Sequence, residues 1–137
     1  MVHFQKDYIY GVQQEATILP ILQQHFGNTL SRNNERWGKY DFYNENSIFE
    51  LKSRKNKKCA YPTTLMTCNK VVKVDEKDLY FLFNFTDELC CIKYEPSLFE
   101  TFEKKNYSRI NQTYDEKEYY FIPVCNLETI KKYEPTI

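Results

Sequence analysis

The sequence predicts an α/β domain, a mixed sheet with helices on its faces. Two stretches carry that expectation. Apolar residues recur at helical spacing between Asp7 and Phe26, whereas Leu79 to Phe85 is the nearly continuous apolar run of a buried strand. Strand-like and helix-like segments then mix along the chain in the coarse order αββ(α)ββαβα. With 137 residues, no internal repeat and no Pro/Gly/Ser-rich linker, residues 1–137 are expected to form one domain.

Each element has a local reason. Asp7 is a candidate N-cap and Gly27-Asn28 a candidate stop for the first helix. Its stripe is Val12, Ala16, Leu19, Leu22 and Phe26, interrupted by Pro20, which predicts a kink. Trp37–Tyr43 and Ser47–Arg54 read as two strands joined by the turn-rich tetrad Asn44-Glu45-Asn46-Ser47. Residues 55–61 read as a basic loop, and Pro62 as the start of a short helix running past Met66 to Val71. After Leu79–Phe85, Thr86-Asp87-Glu88 turns into a further strand, Leu89–Tyr94. Pro96 is expected to open a helix carrying Leu98, Phe99 and Phe102. Glu118–Val124 reads as a strand, and Asn126 as the cap of a last helix through Lys132.

Composition narrows the function classes. The chain is 42% hydrophobic and 17% aromatic, enough to build a core without disulfide or metal staples. Lys plus Arg equal Asp plus Glu at 19 each, which excludes binding of nucleic acid or membrane by bulk charge alone. No apolar run approaches the ~20 residues of a membrane span, and the first residues lack the apolar core of a signal peptide. Five cysteines without CxxC spacing predict reduced thiols, hence an intracellular, non-secreted protein, cytoplasmic or nuclear. Only His3 and His25 could join them in a zinc site, so structural zinc is not expected. Two Ala beside twelve Tyr and eleven Asn is the bias of AT-rich coding and bears on no mechanism.

The charge is uneven along the chain. From Lys52 to Lys73 there are seven bases (Lys52, Arg54, Lys55, Lys57, Lys58, Lys70 and Lys73) and no acid. Such a run is either a solvated loop or a surface for an anion, a phosphate backbone being the obvious one.

This run starts on the second strand of the hairpin. Ile48, Glu50, Lys52 and Arg54 share one strand face, with Phe49 and Leu51 on the other. If residues 44–47 form the loop, positions summing to 91 pair, which sets Asp41 across from Glu50 and Lys39 across from Lys52. A loop one residue shorter or longer would aim the two acids apart. Directly opposed carboxylates at ~4 Å repel by about 4 kcal/mol at an effective dielectric of 20. A divalent cation between them reverses the sign, and Mg²⁺ takes carboxylate oxygens together with water and phosphate oxygens. Lys52 would then stand beside the metal, able to orient a water or meet charge developing on phosphate. Lys39 opposite would lower the pKa of Lys52. Glu15 falls inside the apolar stripe of the first helix, where a carboxylate must find a partner. That partner is either a Lys or Tyr at the stripe edge or the same ion.

Asp41 followed by Glu50-Leu51-Lys52 on the next strand, with Glu15 on a preceding helix, resembles the PD-(D/E)xK nuclease superfamily. That superfamily includes restriction endonucleases, Holliday-junction resolvases and repair nucleases; Tyr40 stands where its motif has Pro. The resemblance implies a restriction endonuclease-like core, an αβββαβ mixed central sheet flanked by helices, here with an additional strand and a C-terminal helix. It implies Asp41 and Glu50 as metal ligands, Lys52 as the catalytic lysine and Glu15 as the helix acid. The expected cofactor is Mg²⁺ or Mn²⁺. The expected activity is DNA endonuclease cleavage, by a homodimer or one module of a complex, with no membrane partner. Lys39, Arg54, Lys55, Lys57, Lys58 and Lys70 are the candidate nucleic-acid contacts. Tyr61, Thr63, Thr64 and Asn69 join Lys70 in a polar set placed to hold the scissile backbone. The competing class is an inert DNA- or protein-binding module on the same fold, against which the intact Asp, Glu and Lys argue.

Overall fold

The structure, a computed structural model of the chain, describes residues 2–33, 40–71, 76–107 and 117–134, with 2–12 and 107 as backbone only. The first element is the long helix α1 (Val2–Phe26). It begins before Asp7, so Asp7 is a helical residue and not the N-cap expected of it. Pro20 is accommodated inside the helix, on its exposed side, where a carbonyl that loses its donor can meet water. Gly27 ends the helix at φ +117°, a conformation that favours glycine, and its N–H donates to the Gln23 carbonyl at 2.8 Å. The buried stripe is Ile18 and Leu22, flanked by Leu19, Ile21 and Phe26; Ala16, expected on it, is exposed.

Among the described residues the central sheet has six strands: β1 (Ser31–Arg32), β2 (Phe42–Tyr43), β3 (Ser47–Ser53), β5 (Asp78–Asn84), β6 (Glu88–Lys93) and β9 (Glu128–Lys132). Their spatial order is β1-β2-β3-β5-β6-β9, and β3 with β5 is the parallel pair in an otherwise antiparallel sheet. This is the mixed α/β sheet the sequence predicts. Its coverings differ from the prediction. Between β3 and β5 the chain forms β4 (Thr63–Thr67) and two single-turn 3₁₀ helices, not a helix opened by Pro62. Thr64 and Met66 are buried and their neighbours half-buried, the period of two that β-branched threonines suit. The strand β4 belongs to a second sheet, ordered β4-β8-β7, with β7 (Glu103–Tyr107) and β8 (Lys117–Pro123). The helix at Pro96, α2, is a single turn, Pro96–Phe99. The expected C-terminal helix is the strand β9: residues 128–132 pair with the edge of β6, a long-range contact that overrides the Asn126 cap signal.

Three layers result. The α1 stripe packs on Phe42, Phe49, Leu82, Leu89 and Cys91 of the sheet. On the opposite face Ile48, Phe81, Phe83, Cys90 and Ile92 pack with Met66 and Ile122 of the small sheet and with Phe99 and Phe102. Both faces of β3 are thus covered at its start, and its buried residues include Ile48, Phe49 and Glu50. The five cysteines are free; burial pushes the Cys90 and Cys91 thiols up to about 12, so they act as core filler. Among the described residues no helix is long and apolar enough to cross a membrane.

Candidate active site

The β2–β3 hairpin builds the site. Asn44 closes the turn: its N–H donates to the Ser47 carbonyl at 2.9 Å, and its Oδ1 accepts the Asn46 N–H at 3.0 Å. Tyr43 pairs with Ile48 and Phe42 with Phe49, the register that a four-residue loop sets. Regular pairing stops there. The Asp41 N–H donates to Phe49, already the partner of Phe42, so two residues oppose one as in a β-bulge. The Asp41 side chain then takes over the ladder, Oδ2 accepting the Leu51 N–H at 2.7 Å. The Tyr40 carbonyl accepts instead from the Asn33 side-chain amide at 2.9 Å.

Asp41 is thereby held beside the Glu-x-Lys segment. Glu50 is 5% exposed, on the face covered by the small sheet. Lys70, delivered by the 3₁₀ turn after β4, puts Nζ 3.1 Å from Glu50 Oε1; Lys52 Nζ lies 3.9 Å from the same oxygen. Burial, with the Asp41 carboxylate nearby, pushes Glu50 up to about 7 against the pull of both lysines. Burial raises Asp41 as well, opposed by the Leu51 N–H and by Lys52, Lys70 and Arg32. It lowers Lys52, which Glu50 and Asp41 counter while Lys70 and Arg54 reinforce the lowering.

The remaining candidates separate. Glu15 lies on α1 with its Oε1 3.5 Å from Arg32 Nε; burial raises its pKa first, the Asp41 charge second. The partner it finds is Arg32, which no local pattern in the sequence singles out. Among the described residues no three of His, Cys, Asp and Glu form a metal-holding group, and Glu15, paired with Arg32, still feels the Asp41 charge. Arg54 ties β3 to β4: Nε donates to Thr64 Oγ1 at 3.2 Å, Nη2 to the Leu65 carbonyl, and the guanidinium lies over Phe83. Lys58 Nζ pairs with Glu88 at 3.5 Å, and its N–H donates to Asp87, so this lysine braces the loop. Lys55 and Lys57 are exposed on that loop. Lys39 lies outside the described residues.

Buried Glu50 and half-buried Asp41, both with raised pKa values, are hard donors that a divalent cation would stabilise in their charged form, so the donor set fits Mg²⁺ or Mn²⁺ with water and phosphate oxygens completing the shell. Such an ion would compete with Lys70 for Glu50. No family model, no curated protein and no solved structure matches this chain.

The raised pKa of Glu50 has a consequence for stability. Its folded value of about 7 lies above the ordinary 4.5, so the folded state holds the proton longer. The contribution is fully present below the ordinary value and is lost as pH rises through about 7. From this group, wild type should lose up to about 3 kcal/mol between pH 4.5 and pH 8. Urea denaturation across that range should give a flatter curve for Glu50→Gln, and for wild type in saturating Mn²⁺. Parallel curves for wild type and variant would mean that Glu50 does not titrate there.

Proposed function

We propose that this chain is a divalent-metal-dependent DNA endonuclease with a restriction endonuclease-like core. The observation that carries the proposal is the clamp of Asp41 on the Leu51 N–H, beside buried Glu50 with Lys52 Nζ 3.9 Å away. Like charges gathered at the bulged end of a hairpin lower stability, and a cation between them and a phosphate gives that arrangement a use. Asp41 and Glu50 would hold Mg²⁺ or Mn²⁺, which supplies Lewis acidity toward a phosphoryl oxygen and a low-pKa water. Lys52 holds a water or a phosphate oxygen beside the pair. Its pKa, lowered by burial, eases loss or sharing of a proton there. Lys70 balances Glu50, and with a cation on Glu50 its ammonium would be free to meet the backbone phosphate. Two copies acting together would cut both strands of a duplex. The test is a cleavage panel of duplex, single-stranded and branched DNA, with RNA controls, in Mg²⁺, Mn²⁺ and chelator. Cleavage that persists in chelator, or its absence on every substrate, refutes the reading.

The exposed lysines supply sequence-independent attraction. Lys55→Ala with Lys57→Ala should weaken DNA binding and make the slope of log affinity against log salt shallower by up to about 0.9 per lost phosphate contact. Lys58 is left in place, because its pairing with Glu88 would turn the experiment into one on folding. An unchanged slope in fluorescence polarisation would make the loop a solvated surface.

The second reading, an inert module, is favoured by one observation. Lys70 and Lys52 already offset the charge of Glu50 without a metal. Calorimetry with Mn²⁺ separates the two, since a closed Glu–Lys cluster gives no heat that depends on Asp41.

A further inference from the structure

A cleft of about 430 Å³ opens where Arg54 meets the loop before β4, lined by Arg54, Asn56, Tyr61, Thr63 and Tyr119 among others. Its size is within the range of small-ligand sites. None of its lining residues among those described is acidic, and Lys55 and Lys57 lie on the same loop. Tyr61 stands out, since a tyrosine normally hides most of its ring. It is 61% exposed, while Pro62 beside it also lines the cleft. Arg54 is fixed in the lining by its bonds to Thr64 and Leu65 and by the Phe83 ring, so little ordering cost remains when a ligand arrives. Arg54 shares a strand face with Lys52 and lies ~6–7 Å further along the chain direction.

We propose that this cleft binds an unpaired nucleobase, stacked on the face of Tyr61, in a single-stranded or frayed nucleic acid. An aromatic face in a cationic, acid-free cleft is the chemistry that recognises a base with its phosphate, and stacking tolerates every base because each has a π-face. Asn56 and Thr63 offer hydrogen-bonding groups for the base edge. The inference rests on the nuclease reading in one respect only: the phosphate next to the stacked base lies toward Lys52. The expected preference is therefore for DNA with an unpaired segment beside the cut.

The test measures binding in chelator, so that cleavage plays no part. Fluorescence polarisation compares labelled oligothymidylate with an abasic strand of equal length and charge. Wild type should bind the thymidylate about 5–150-fold more tightly, the range that stacking of one base gives. Tyr61→Ala should erase that difference and leave the abasic strand unaffected, and Tyr61→Phe should keep it. Circular dichroism establishes that both variants fold. Equal affinity of wild type for the two strands overturns the proposal, as does no binding of either. So does a preference that survives Tyr61→Ala or disappears in Tyr61→Phe. Failure of the metal-dependent cleavage panel instead removes the nuclease reading and leaves this result standing.

Discussion

Under the proposed nuclease reading, Glu50→Gln and Asp41→Asn should each bring cleavage down to background, a fall of about 10³-fold or more, in proteins that remain folded. The amide substitutions are chosen for a structural reason. Asp41 Oδ2 accepts the Leu51 N–H at 2.7 Å, and an asparagine keeps an oxygen for that bond while removing the charge. Alanine would leave a strand N–H without its partner, at a cost of about 1–3 kcal/mol, and would mix folding with chemistry. Glutamine at position 50 removes a charge that burial disfavours and keeps the volume in a site that is 5% exposed. The Glu50 variant should therefore be at least as stable as wild type at pH 8 while losing activity, a combination a structural glutamate would not give. Single-turnover cleavage at saturating enzyme, with Mn²⁺ calorimetry, checks both variants. Wild-type rates in either would remove that residue from the metal site.

Lys52→Ala should lower single-turnover cleavage by about 10²-fold or more, the scale of losing one preorganised electrostatic group. Metal binding and fold should persist. Lys70 stays 3.1 Å from Glu50, so the buried carboxylate keeps a counter-ion when Lys52 is shortened. Removing a neighbouring cation should also tighten Mn²⁺ binding. A lysine that only braces Glu50 would show the reverse, with lower stability and unchanged activity per folded molecule. If Lys52→Ala cleaves as fast as wild type, the Glu-x-Lys pattern is coincidence.

How much of this was legible depends on how far apart in sequence the partners lie. The Asn44–Ser47 turn fixes the register of Tyr43 and Phe42, and counting on from it puts Asp41 across from Glu50, whereas the structure sets Asp41 across from Phe49. The bulge could not be counted. It depends on Asp41 replacing Tyr40 as the acceptor for Leu51, a choice settled in three dimensions. β4 carried a readable signal that Pro62 obscured: three threonines in five positions are a poor helix and a good strand. β7, with the sequence Glu-Lys-Lys-Asn-Tyr, has no apolar alternation and exists because β8 pairs with it. The basic run looked uniform in sequence, yet Lys58 is drawn to Glu88 and Arg54 to Thr64, partners that only the tertiary fold supplies.

The crossover between β3 and β5 also sets an order of assembly. Tyr43 meets Ile48 across a short turn, an event of microseconds. Ser47 meets Asp78 only after a loop of some thirty residues has closed, and Thr63 meets Pro123 after nearly the whole second half of the chain has been gathered in. Lys70 rides on that late-closing stretch, immediately after β4. Asp41 and Glu50 thus lie close along the chain, with Lys52 on the same strand as Glu50, whereas Lys70 reaches Glu50 only once the crossover folds back. Contact order therefore expects the hairpin, with Lys52 already on β3, to close before Lys70 reaches Glu50, an order that φ-values at Ile48 and Thr64 would check.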